Sequence, residues 1–287
     1  MTIRNPVEWS VDQFRHAALA FESAGRVGRR TLDGLHAPPP TVRRIALGEL
    51  GNALTRGFDD FAAFRTDVIF ICLLYPLVGL VLARLAFGYD LLPLVFPLAS
   101  GFALVGPLAA VGLNEMSRRR EWGAAAGWAD ALAVVRAPSF GGIVLLGLVL
   151  MGIFLLWLLV AEIIYEMTLG PMPPASVGSF IGDVFTTDAG WTMIGVGICV
   201  GFLFALLVLA ISVVSFPLLL DREVGVDTAM LTSIRAVVAN PVPMAAWGLI
   251  VAVGLVLGSI PFFLGLIVVM PVLGHATWHL YRGVVAS

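Results

Sequence analysis

Lysine is absent from these 287 residues, and charge of any kind is scarce, at 13 %. Soluble domains carry about a quarter charged residues, so the chain has too little charge to clothe a water-facing surface of its length. Cysteine occurs only at Cys72 and Cys199, each inside an apolar run, where burial as a small apolar side chain is expected rather than a disulfide. No HExxH, CxxC or CxxCH spacing is present, nor a phosphate-binding glycine loop or nucleophile elbow. Those gaps disfavour the chemistry of soluble enzymes. The opening MTIRNPVEWSVDQF lacks the apolar stretch and small-residue cleavage site of a signal peptide, so membrane insertion is expected to rely on internal segments.

What fills the chain is apolar: 59 % hydrophobic residues and a mean hydropathy of +0.97. Lipid is the expected solvent for most of it. A crossing helix needs about 20 apolar residues, which places spans at roughly 67 to 87, 91 to 114, 140 to 165, 190 to 220, 242 to 258 and 261 to 281. The last two form one apolar stretch too long for a single crossing, and Gly258-Ser259-Ile260-Pro261 is the expected break in a helical hairpin. The expectation is an all-α bundle of about six spans, with residues 1–66 as an N-terminal amphipathic helical region and 67–287 as the membrane domain.

Charge sets the expected orientation. Nine of the seventeen arginines precede Asp67, and Arg118, Arg119, Arg120, Arg136, Arg222, Arg235 and Arg282 fall on the same side of the alternating spans. Only Arg84 falls on the other, whose longest loop carries Glu166, Asp183 and Asp188. The positive-inside tendency puts both termini in the cytoplasm. Each basic cluster is interleaved with Asp or Glu, so no nucleic-acid partner is expected. Within residues 1–66, Val11, Phe14, Ala18 and Phe21 form one helical stripe, and Leu47, Leu50, Leu54, Phe58 and Phe61 a second, separated by Pro38-Pro39-Pro40. Both are read as amphipathic helices lying on the membrane or under the bundle, with a partner-docking arm as the sharper alternative.

Shifting the chain by about 102 residues aligns Glu121-Trp122-Gly123 with Glu223-Val224-Gly225 and ALAVVRAPS with SIRAVVANP, a parallel internal repeat. Parallel repeats occur in transporters but also in other membrane proteins.

Polar residues gather at the expected cytoplasmic ends of three spans: Asn114, Glu115 and Arg118, then Asp221 and Arg222, then His275, His279 and Arg282. His275 and His279 are four apart and share a helical face, the spacing at which a helix can offer ligands to a divalent metal or haem. Two other readings stand beside that one. Trp278, Tyr281 and Arg282 suit interfacial anchoring, with the histidines in the same wet zone, or the whole group is a polar cluster locking helices together. On the opposite side Arg84 and Glu162 could form an ion pair. Gly197 with Gly201, and Gly254 with Gly258, are GxxxG pairs suited to close helix packing, within the bundle or at a homodimer face.

The segments GLNEMSRRREWG, FPLLLDRE, NPVPMAAWG, FLGL and PVLGHATWHLYR, in this order, resemble the bacterial integral membrane family known as domain of unknown function 2189. The resemblance runs from about residue 45 to the C-terminus, and its closing segment is the most specific. Members are often labelled cytochrome c oxidase subunit I. Such a catalytic subunit takes many more spans and histidine ligands than this chain offers, so the resemblance implies at most an association with a respiratory complex. The expected function is a non-catalytic accessory or assembly factor of the inner membrane that binds other membrane proteins, with no cofactor. A small-solute or ion transporter is the alternative, and a haem or metal oxidoreductase a further one.

Overall fold

The computed structural model describes residues 40–72, 84, 92–124, 126–172 and 174–286, and every regular element among them is helical. The stripe from Val11 to Phe21, most of the proline run and most of the first expected span lie outside the described residues.

Helix α1 (Leu47–Cys72) crosses the expected boundary at residue 66 without a break. A 3₁₀ turn leads into α2 (Val95–Ala109), which continues into α3 (Val111–Glu121) through a bend at Ala110. The backbone bonds survive there, since Ala110 N–H reaches Gly106 O at 2.9 Å and Asn114 N–H reaches Ala110 O at 2.9 Å. The short α4 (Trp128–Leu132) precedes α5 (Phe140–Thr168), and α6 (Val177–Thr186) lies between α5 and α7 (Asp188–Ser212). The α6 to α7 corner is tight because Gly190 has no side chain: a Cβ there would sit 2.3 Å from Asp183 O. Helix α8 (Ser215–Asp221) prolongs α7 beyond a break at Val213-Val214, where the Pro217 ring removes a backbone donor and crowds the Val213 carbonyl. The chain closes with α9 (Val226–Ala239), α10 (Pro241–Ser259) and α11 (Leu266–Val284).

Among the described residues, three helices are long and apolar enough to cross a membrane: Phe140–Thr168, Asp188–Asp221 and Pro241–Ser259. Their outward faces carry Leu148, Leu155, Phe202, Leu249 and Val256, all exposed. Such a surface costs little in lipid and would be an aggregation hazard in water. The segment expected as the last span behaves differently. Its first part, 260–265, is a turn in which Phe262 and Phe263 take positive φ of 51° and 64°, and helix begins at Leu266. Gly258 and Gly265 make that turn possible, since a Cβ on Gly265 would meet Gly258 Cα at 2.7 Å.

α1 packs along α11 through a face that shares Leu50 with the expected stripe and leaves Leu54 and Phe61 half-buried against the core. The buried positions are Leu50, Ala53, Gly57, Asp60 and Phe64, whereas Leu47 and Phe58 are more than half exposed. Spacings of three and four still hold, but the face that docks is the one with the smallest residue and a charge. Contact is close at its centre, where a Cβ on Gly57 would lie 2.7 Å from Ala276 N.

The segment before α1 is tied to the C-terminus. Val42 and Val285 form an antiparallel bridge, flanked by Arg43 N–H to Val284 O at 2.7 Å and Ala286 N–H to Thr41 O at 3.0 Å. Asn240, buried just before Pro241, adds a clamp: its Oδ1 accepts from Ile45 N–H at 2.8 Å and its Nδ2 donates to Arg43 O at 2.9 Å. Asn240→Ala is expected to remove about 1–3 kcal/mol and to raise hydrogen exchange at the Ile45 amide.

Candidate functional site

At the arginine-rich end of the bundle, α1, α3, α8 and α11 meet, and their polar side chains form three connected groups. The innermost centres on Asp60, only 4 % exposed. Its Oδ2 accepts from Ser117 Oγ at 2.5 Å and from His279 Nε2 at 2.8 Å, while its Oδ1 accepts from Arg120. Ser117 has one hydroxyl proton, and Asp60 takes it. The serine oxygen therefore accepts from His275 Nδ1 at 2.8 Å, which fixes the proton on that nitrogen and leaves Nε2 as a buried lone pair with no partner. The His275 ring is fully buried, packed 6.0 Å from the Phe64 ring.

Burial alone would raise the Asp60 carboxyl. The hydrogen bonds from His279 and Ser117, the attraction of His279 and the hydrogen bond from Arg120 outweigh it and hold the group below its ordinary value of 3.8. A carboxyl depressed on folding stabilises the fold above its unfolded value, and that contribution is lost as the pH falls through the lower folded value. Thermal stability is thus expected to hold from neutrality down to about pH 4 and to fall below it, with Asp60→Asn flattening the acid limb.

The second group belongs to α3. Glu115, nearly buried, accepts from Arg118 Nε at 2.7 Å and Arg119 Nε at 2.9 Å, and Arg119 continues to Asp130 at 2.6 Å. Arg118 also donates to Leu220 O at 3.1 Å and lies over the Trp122 ring at 4.7 Å. In the third, Asp221 accepts from Tyr281 Oη at 2.6 Å and lies 3.6 Å from Arg282, whose Nε donates to Glu121 at 3.0 Å. Trp278 Nε1 also donates to Glu121, at 2.9 Å, and Arg222 donates to Ala286 O.

Glu115 and Asp221 do not face the histidines; each serves a different group, and Asp60 supplies the carboxylate beside His275 and His279. Trp278 and Tyr281 are buried at 0 % and 1 % exposure and bonded to carboxylates, which corrects their reading as interfacial anchors. Asn114 is also buried, with its Oδ1 unpartnered. Arg84 is exposed, Glu162 half-buried, and no ion pair joins them. Gly201 sits against Trp157, with 3.2 Å from a notional Cβ to the ring; Gly197 has open space; Gly254 faces Val269. Cys199 is a free, exposed cysteine on α7 rather than a buried one.

No group of three or more His, Cys, Asp or Glu side chains is placed to hold a metal ion among the described residues. His275 and His279 spend one ring nitrogen each on Ser117 and Asp60, so the remaining donors are a sealed Nε2 and the His279 Nδ1.

Sequence reasoning missed Asp60, Ser117, Arg120 and Glu121. Asp60 left one legible trace: it occupies the 50, 53, 57, 60, 64 spacing, where a lone charge among small and apolar residues marks a docked face.

The matched family is the one described as predicted integral membrane protein (DUF2189). Residues 95–221 match DUF2189. That stretch runs from α2 through α8, carrying Asn114 to Glu121 and Asp221. It is narrower than the resemblance from residue 45 onward, so Asp60 on α1 and both α11 histidines meet the DUF2189 core from outside the matched stretch. The family and the long apolar helices agree on a helical membrane protein in contact with lipid. No curated protein and no solved structure matches the chain.

Proposed function

We propose that this is a non-catalytic accessory or assembly protein of the bacterial inner membrane, whose polar cluster holds α1 and α11 to the bundle and whose lipid-facing helices bind other membrane proteins. One observation carries the reading: the carboxylates of Asp60, Glu115 and Glu121 each accept from two or more side chains of the same protein, and Asp221 accepts from Tyr281 with Arg282 in ion-pair range. Groups paired this way fix helices in register. They are poorly placed to turn over a substrate.

In this reading the chain has about six spans with both termini cytoplasmic, the cluster lying at the cytoplasmic end. Supporting the parallel repeat, Arg118 of the first copy bonds to Leu220 of the second, 102 positions later. Equivalent positions touch only near a symmetry axis, and these two fall three residues before the first aligned segment of their copies. The partner surface is α7, whose most apolar window is only 11 % buried and where Gly197 leaves open space. A respiratory-complex subunit is the partner class the family label suggests, and a second copy of the chain the other.

A transporter is less well supported. The cavity lined by α2, α3, α7, α8, α10 and α11 is apolar apart from Asn114, Ser212, Thr277 and the Trp247 indole N–H, and the two hydroxyls are bonded to their own helices at 2.6 and 2.7 Å. Purification from native membrane in mild detergent separates the readings. The accessory role requires stoichiometric membrane-protein partners, lost when Gly197→Phe crowds α7, in a preparation without a chromophore. A partnerless, colourless protein would overturn it in favour of transport.

A further inference from the structure

The cavity behind Asn114 has a chemistry of its own, independent of the accessory role. It measures about 370 Å³ and lies between α2, α7, α10 and α11, with Trp247, Phe216 and Met270 among its walls and no charged side chain. Asn114 is its most polar lining residue. The side chain is 1 % exposed, and its Oδ1 is buried with no hydrogen-bond partner. An unmet amide oxygen in an apolar surround is costly, and a ligand that donates to it removes that cost. The cavity's two hydroxyls do not remove it, because Ser212 and Thr277 spend their protons on Val208 O and Leu273 O and have only lone pairs to offer.

We propose that this cavity binds an uncharged, lipid-soluble molecule bearing a hydroxyl, with the hydroxyl on Asn114. A hydroxyl donates to Oδ1 and accepts from Nδ2 together, whereas an ester or ketone only accepts and leaves Oδ1 unmet. A charged group would enter with no counter-charge on the walls. The apolar body lies against Trp247 and Met270. A free neutral lipid such as diacylglycerol carries this chemistry, whereas the phosphate of phosphatidylglycerol would bring a charge to walls that have none to meet it.

Trp247 reports on occupancy. In detergent, the full chain is titrated with 12-bromododecan-1-ol and with 1-bromododecane, whose bromine quenches indole fluorescence. Saturable quenching is expected from the alcohol, roughly tenfold tighter than from the alkane, the worth of one hydrogen bond. Trp247→Phe should remove the saturable component, and Asn114→Leu should equalise the two probes. Brominated diacylglycerol is then expected to saturate and brominated phosphatidylglycerol, with its charged phosphate, not to. Equal or non-saturating quenching by alcohol and alkane in the unmodified protein would overturn the proposal, showing a groove that takes any acyl chain.

Discussion

Replacing Asp60 with alanine is expected to cost about 3 kcal/mol, the largest effect of any single polar substitution in the cluster. Asp60 is the acceptor for Ser117, His279 and Arg120 at once. Its removal leaves the His279 N–H without a partner, leaves Ser117 only His275, and no longer fixes the His275 tautomer. Arg120 moderates the loss, since its side chain is 42 % exposed and can turn to water. Asp60→Asn keeps the shape but offers one acceptor oxygen where two were used, so an intermediate loss is expected. Thermal unfolding in detergent checks the order: wild type, then Asn, then Ala. An Ala variant as stable as wild type would show that the cluster holds nothing together.

Gly57→Val is expected to undock α1 altogether. At this position the obstacle is backbone: the first side-chain carbon would lie 2.7 Å from Ala276 N and 2.8 Å from Ala276 Cα. A flexible neighbour could give way, but a packed helix backbone cannot, and overpacking of this kind costs about 1–3 kcal/mol or more. Because Gly57 lies one turn from Asp60, separation of the helices there also breaks the Asp60 bonds to Ser117 and His279. Trypsin cleavage at Arg56, already on the exposed side of α1, should accelerate. Ala276→Gly should not rescue the variant, since the clash with the backbone nitrogen remains. Unchanged proteolysis would mean that α1 and α11 are not in contact at this point.

The parts of this fold legible in the sequence are those governed by one-dimensional quantities. Helices α5, α7 and α10 announce themselves as uninterrupted apolar runs, and the Gly258-Ser259 break as a place where a long run must turn. The docked face of α1 does not. Periodicity catches Leu50, Leu54 and Phe61 but adds Leu47 and Phe58, which are exposed, while close approach to α11 rewards Gly57 and Ala53, which let the backbones meet. Likewise Asp60 reads as a solvated charge until Ser117 and His279 are known to arrive from 57 and 219 residues away. Desolvation costs depend on partners, and partners are a three-dimensional fact. The same holds for Trp278 and Tyr281, whose types suit a membrane interface but whose polar tips find Glu121 and Asp221 inside the bundle.

The central claim is that the Asp60 cluster holds helices rather than reacting, and substituting the whole cluster with apolar residues tests it directly. Buried polar networks can be exchanged for apolar side chains of similar volume with little loss of stability, whereas breaking them piecemeal is costly. The variant carries Asp60→Leu, Ser117→Ala, His275→Leu and His279→Leu, and is assayed for thermal stability and for recovery of the wild-type partner from native membranes. A folded protein that still recovers its partner and complements a deletion strain is the expected result. A protein equally well folded that no longer complements would contradict the account, because the four polar groups would then be required for something other than the fold.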